Sequence, residues 1–201
     1  MVKQRSAFTI IEVLIVMAII LVLAGLILAT SGYVQNKGRR SRAEAEIAAK
    51  SAALENYKAD NGIYPRDSTN KTTDVLEAMT DPAYSSATPP DPKPTSYDPT
   101  DSKYVAPSFF LYGQLSGNTS GDRASQDQKG YFQFKPNMLL PSDGTSKVTA
   151  IRDPFGYTYG YSTAQQATPT HGFNPTFDIW STAGTNKALD AAYEAKWIKN
   201  W

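Results

Sequence analysis

From Phe8 to Ala29 the chain is almost unbroken hydrocarbon, with Thr9 and Glu12 its only polar side chains. A run with no polar face predicts a helix that is greasy all round. At 1.5 Å per residue it covers about 33 Å, enough to cross a hydrocarbon core of about 30 Å. The pattern then changes to Ala, Glu, Lys and Arg, with Ile47, Leu54 and Tyr57 spaced by seven and three. That spacing continues the helix with one face turned to a core. Fully helical, the rod from Phe8 to Asp60 measures about 80 Å, and Gly25, Gly32 and Gly38 are its weak points. Asn61-Gly62 predicts its end, and Pro65 forbids its continuation.

Beyond the rod the pattern shortens. "DVLEAM" (74–79) predicts a small helix with Asp74 as N-cap and Glu77 at the reciprocal position. Seven of the 13 prolines fall just after it, so 81–107 is expected to be an extended surface loop. From residue 109 the runs "FFLYGQL", "YFQFK", "VTAIR", "YTYGYS" and "TFDIWST" are β-prone and separated by turn residues, as an antiparallel sheet requires. "DPFG" (153–156) has the chemistry of a tight turn. Leu189, Tyr193, Trp197 and Trp201 recur every four residues and predict a short C-terminal helix from about Asn186. The expected class is α+β: a long N-terminal transmembrane helix, an antiparallel sheet head and a short final helix.

Composition narrows the chemistry. A net charge of +1 over 201 residues supplies no field for nucleic acid, which is not expected as a partner. Cysteine is absent, which excludes disulfides, thiol nucleophiles and thiolate metal sites. The only histidine, His171, lies in a Gly/Pro-rich loop, and the carboxylate pairs Asp98/Asp101 and Asp122/Asp127 lack a basic or aromatic frame. No catalytic motif is present, so no enzymatic activity is expected. Asn70-Lys71-Thr72 and Asn118-Thr119-Ser120 match glycosylation sequons at a frequency chance explains.

The apolar run exceeds the roughly 7–15 residues of a secretory signal core, so an anchor is expected rather than a cleaved signal. A carboxylate at bilayer depth costs about 2.5–3.5 kcal/mol, so Glu12 needs either an interfacial position or a partner. Lys3 and Arg5 precede the span, and Lys37, Arg39, Arg40 and Arg42 follow it. A bare count of these cations places the C-terminal part in the cytoplasm. Arg40–Glu44 and Arg42–Glu46 are spaced as i,i+4 pairs.

The short basic leader followed by F-T-I-I-E and an apolar helix resembles the prepilin class, the type IV pilins and type II secretion pseudopilins. The resemblance implies cleavage by prepilin peptidase between Ala7 and Phe8, then methylation of the Phe8 amine. It implies that Glu12 faces that amine, on a neighbouring subunit or its own, and so guides assembly. Two positions depart from the family pattern: Ala7 stands where Gly is usual, and Ala29 where many members carry Pro. "LENYKADNGIYP" resembles the close of the long helix in major pseudopilins. Asp153-Pro154-Phe155-Gly156 with Tyr159 and Tyr161, then Phe177-Asp178-Ile179-Trp180-Ser181, resemble two later blocks of the same proteins.

The implied organisation is a leader over 1–7, a transmembrane helix over 8–30, its extracytoplasmic continuation over 31–62 and an α+β head over 63–201. Loss of Lys3 and Arg5 with the leader lowers the net charge of +1 by two. The implied location is the bacterial inner membrane, with cytoplasmic N-terminus and periplasmic head, and a filament after assembly. Implied partners are membrane lipid before assembly, copies and related pseudopilins afterwards, prepilin peptidase and the inner-membrane assembly platform. The family's calcium loop corresponds to "STAGTNKALD", where only Asn186 and Asp190 offer side-chain oxygens of the right kind and Thr185 stands in place of an Asp. No cofactor is expected. The implied role is a subunit of a secretion pseudopilus that drives protein export; a type IV pilus subunit for adhesion, motility or DNA uptake is the alternative, and a membrane-tethered binding module that never polymerises is a third.

Overall fold

A computed structural model describes residues 9–76, 101–185 and 191–201, and the chain divides into two units, Met1–Arg39 and Arg40–Trp201. Helix α1 (Ile10–Asn61) belongs to both and runs through Gly25, Gly32 and Gly38 without interruption. It stops where expected: the Gly62 amide donates to the Lys58 carbonyl at 2.8 Å, and Gly62 takes φ 78°, which suits a residue without Cβ.

In the second unit, α1 buries Ala43, Glu46, Ile47, Lys50, Ala53 and Leu54. Ile47 and Leu54 thus lie in the core as their spacing predicts, while Tyr57 is half-buried and donates through its hydroxyl to Gln114 at 2.8 Å. Tyr64 folds back onto the helix, its hydroxyl 2.9 Å from Glu55 Oε1 and its ring under the Lys58 ammonium.

Helix α2 (Ser102–Ser116) corrects two expectations, because it occupies the end of the proposed proline-rich loop and all of the proposed first strand. Asp101 caps it through a 3.1 Å bond from the Lys103 amide, and Gly117 closes it. Its buried face is Tyr104, Pro107, Ser108, Leu111, Tyr112 and Leu115, a helical period that outweighs the strand preference of the aromatic residues. Pro107 costs the helix one backbone bond but its ring is buried in the face. The remaining prolines of that segment, in 81–100, lie outside the described residues.

A one-turn 3-10 segment (Pro136–Met138) leads into β1 (Leu139–Leu140), which pairs antiparallel with β2 (Ala150–Ile151). The turn at Asp153–Gly156 follows, as predicted, with the Gly156 amide donating to the Asp153 carbonyl. Strand β3 (Gly160–Ser162), the single-turn α3 (Ala164–Ala167), β4 (Asp178–Ser181), the single-turn α4 (Ala191–Glu194) and β5 (Ile198–Lys199) complete the unit. The second sheet is antiparallel in the order β3-β4-β5, with Gly160 opposite Trp180 and Tyr161 opposite Ile179. Gly160 is required there: a Cβ would lie 2.1 Å from the Trp180 ring. The core joins α1, α2 and both sheets through Leu54, Leu111, Ile151, Tyr159 and Ile179.

Three further expectations are corrected. Residues 131–135 form no strand; the Tyr131 and Phe132 amides cap the Leu115 carbonyl at 2.7 and 2.9 Å, and Phe134 packs against Tyr112. Asp74 is no N-cap, since Val75 and Leu76 are not helical and its carboxylate takes two bonds from Arg66 at 2.8 and 2.9 Å. Residues 77–79 lie outside the described residues. The C-terminal stripe is also broken: α4 ends at Glu194, and β5 pairs with β4 and carries Trp197 and Trp201 to Trp180, with which they share a cluster. Pairing to a sheet edge and aromatic contact outcompete the helical period.

One buried polar cluster fastens α1 to the sheet. Lys50 is fully buried, its Nζ 3.3 Å from Glu46 Oε2 and 3.8 Å from the centre of the Tyr159 ring, and the Tyr159 hydroxyl donates to the same Glu46 oxygen at 3.0 Å. Arg42 holds the other oxygen at 2.8 Å. Burial pushes the Lys50 amine down to about 8 from 10.5, and the Glu46 carboxylate only partly opposes it. Burial, reinforced by Glu46, pushes the Tyr159 hydroxyl above its ordinary range.

Between about pH 8 and 10 the unfolded chain therefore holds a Lys50 proton that the folded chain has released, so stability rises with pH. Above about 10 the sign reverses, because only the unfolded chain loses the Tyr159 proton. All three tryptophans lie in the second unit, so their fluorescence follows its unfolding in the full chain in detergent. We expect stability to climb from pH 8 with a slope approaching about 1.4 kcal/mol per unit and to peak near pH 10. Lys50→Met should flatten the climb and leave the decline above the peak.

Candidate functional site

The first unit contains a long apolar surface and one carboxylate. From Ile10 to Leu28 every large apolar side chain is exposed, from 48% at Val13 to 83% at Ile10. None of the helix's most apolar stretch is buried, and it is long and apolar enough to cross a membrane. An amphipathic helix hides one stripe, whereas this one has no stripe to hide. Polar residues resume with Thr30 and Ser31, and the Ser31 hydroxyl accepts from Gln35 at 3.2 Å.

Thr9 and Glu12 build the start of α1. The Thr9 backbone amide and its hydroxyl both donate to Glu12 Oε2 at 2.8 Å, and the Glu12 amide donates back to Thr9 Oγ1 at 3.3 Å. With Ile10 as first helical residue, Thr9 is the N-cap and Glu12 the third position. This is a reciprocal capping box, which satisfies donors that an isolated helix start leaves open. In hydrocarbon, where water offers no substitute, an open amide is costly. The carboxylate also faces the positive end of the helix dipole. Glu12 thus has a partner inside its own chain, besides the amine that the resemblance implies. The sequence reading missed Thr9's part, although T-x-x-E ahead of an apolar run is the written signature of this motif.

Ala7 and Phe8 lie outside the described residues, as do Asn186 and Asp190. Ser181, at the start of the proposed calcium loop, donates its hydroxyl to Asp153 Oδ2 at 2.5 Å. That bond joins the two later blocks singled out in the sequence. Asp153 Oδ1 accepts the Phe155 and Tyr157 amides, and burial raises its carboxyl above the usual carboxylate range. Of the carboxylate pairs in the sequence, Asp98 lies outside the described residues, and the other three serve turns and caps: Asp101 caps α2, Asp122 accepts from the Ala124 amide, and Asp127 accepts from Thr119. Asn118 is buried and its side-chain amide donates to the Asp122 carbonyl, so this sequon cannot receive a glycan in the folded chain.

The cations after the span divide. Arg42 pairs with Glu46 as spaced, but Arg40 does not reach Glu44; it donates to the Lys196 carbonyl at 2.7 Å. Lys37 and Arg39 are exposed.

Residues 2–28 match the family model for the prokaryotic N-terminal methylation motif. The N-terminus carries the prepilin-type signal. Its matched stretch holds the Ala7–Phe8 bond, the capping box and the apolar surface through Leu28, and it stops where polar character begins. No curated protein and no solved structure matches the chain.

The capping box is testable by amide hydrogen exchange on the full chain in micelles. Thr9→Val removes the hydroxyl that accepts from Glu12 and donates to it. Exchange at residues 11–13 should accelerate several-fold, with residues 17–23 unchanged; an unaltered profile would deny the cap any stabilising role.

Proposed function

We propose that this chain is a filament subunit of a type II secretion pseudopilus, made as a membrane-anchored precursor and polymerised to drive protein export. The observation that carries the proposal is the uncovered apolar surface of α1 directly behind a prepilin-type signal. Prepilin peptidase cuts between Ala7 and Phe8 and methylates the new amine. The helix waits in the inner membrane with its head in the periplasm, and the assembly platform withdraws it. Apolar surface that lipid covered is then covered by sister helices, whose dispersion and burial hold the filament together.

Glu12 sets the register. Its carboxylate leaves or shares the Thr9 cap to meet the Phe8 amine of a neighbour, and a charge pair in low dielectric penalises any subunit out of step, because an unpaired partner is stranded. The pseudopilus reading is supported by the blocks at 57–65, 153–161 and 177–181, which here close a helix, form a turn and build the central strand. A pilus subunit shares the N-terminal signal, and a deletion strain separates the two roles: loss of export with surface pili intact supports the pseudopilus, the reverse the pilus.

Three outcomes check the mechanism. Mass spectrometry of the mature chain should find Phe8 first, carrying one added methyl group; a chain starting at Met1 would refute processing. Glu12→Ala should abolish filaments in electron micrographs while the protein stays in the membrane fraction, whereas unchanged filaments would remove Glu12 from assembly. Because the chain has no cysteine, Thr145→Cys in the exposed 143–146 turn gives a single label site. A membrane-impermeant maleimide should modify it in intact spheroplasts.

A further inference from the structure

We infer that Tyr33, Lys37 and Arg39 form a collar on α1 that binds anionic phospholipid headgroups in the leaflet where the span ends, on the side of residues 31–61. The inference rests on the reading of α1 as a membrane span. Leu28 is the last large apolar residue of the continuous run, and Tyr33, 73% exposed, follows about 7.5 Å along the axis. Each headgroup layer is about 5–7 Å deep, so the Tyr33 ring falls at headgroup level, where amphipathic aromatic side chains concentrate.

Lys37 and Arg39 lie about 13 and 16 Å beyond Leu28 by the same rise. Side chains on a helix lean toward its N-terminus, which here means back toward the bilayer, and their long stems carry the cations into reach of the phosphates. Both residues are exposed, and neither has an ion-pair or hydrogen-bond partner among the described residues. Arg40 and Arg42, by contrast, are committed to the Lys196 carbonyl and to Glu46. No acidic residue occurs between Glu12 and Glu44, so nothing on this part of the helix competes with a lipid phosphate for the two free cations. Charge complementarity therefore selects an anionic lipid surface as the occupant, with each cation worth about fivefold in affinity near such a surface.

The test uses the full chain reconstituted in phosphatidylcholine vesicles containing trace spin-labelled phosphatidylglycerol or spin-labelled phosphatidylcholine. The fraction of motionally restricted label gives the relative association constant of the two lipids. The wild type should prefer phosphatidylglycerol several-fold, and the preference should fade in about 1 M salt, where the Debye length is about 3 Å. Lys37→Gln with Arg39→Gln should lower the ratio several-fold, while Lys3→Gln with Arg5→Gln on the opposite side should leave a several-fold preference. A ratio unchanged in the Lys37/Arg39 variant, or lost only in the Lys3/Arg5 variant, overturns the collar. Protein that is released by alkaline carbonate and restricts neither lipid overturns the span itself, and the collar with it.

Discussion

Every other feature of the first unit answers to one constraint: the side chains from Ile10 to Leu28 have no protein cover. Burial of apolar area is worth about 25 cal/mol per Å², and this helix holds that energy in reserve. Lipid can satisfy it, and so can other helices of the same kind, but water cannot. Thr9 and Glu12 complete the arrangement at one end by satisfying the opening amides from within the chain. At the other end Ser31 and Gln35 start a polar surface, so the apolar length is bounded on both sides.

The second unit solves a different problem, that of building a core around half of a helix. Leu54 and Ile47 supply the apolar contact, while Glu46, Lys50 and Tyr159 supply a buried polar fastening. Such a fastening is costly unless every member is satisfied, and here the amine, the carboxylate and the phenol each have a partner. It also fixes the rotation of α1, because a helix turned by one residue would leave a buried charge alone. Asp153 and Asp178 act in the same spirit elsewhere: both are buried, and both hold turns by accepting backbone amides. Their place in the family-like blocks reflects architecture, and the Asp153–Ser181 bond ties the two blocks together.

The head was legible in part. The stop at Gly62, the turn at Asp153–Gly156 and the strands within "VTAIR", "YTYGYS" and "TFDIWST" follow from local chemistry that tertiary packing did not oppose. Helix α2 carries two opposed local signals. Its aromatic content suggests strand, yet Tyr104, Leu111, Tyr112 and Leu115 keep a helical period behind a capping Asp101. The C-terminal stripe erred the other way, since a perfect spacing of four gave way to pairing with β4 and to contact with Trp180. Sites followed the same division: Glu12 was visible as an anomaly, while its bond to Thr9 required recognising the cap.

Sequence alone determined the membrane-length helix, its terminus, the prepilin-type signal and the lone carboxylate, because each is written within a few turns of contiguous chain. Tertiary structure alone decided that Glu46 and Lys50 join Ile47 and Leu54 on the buried face of α1, which cations remain exposed after the span and where the last tryptophans go. Those outcomes depend on partners outside the local stretch, 113 residues away for Glu46 and Tyr159 and 156 for Arg40 and Lys196, and local preference carries no information about which distant surface will be there to meet it.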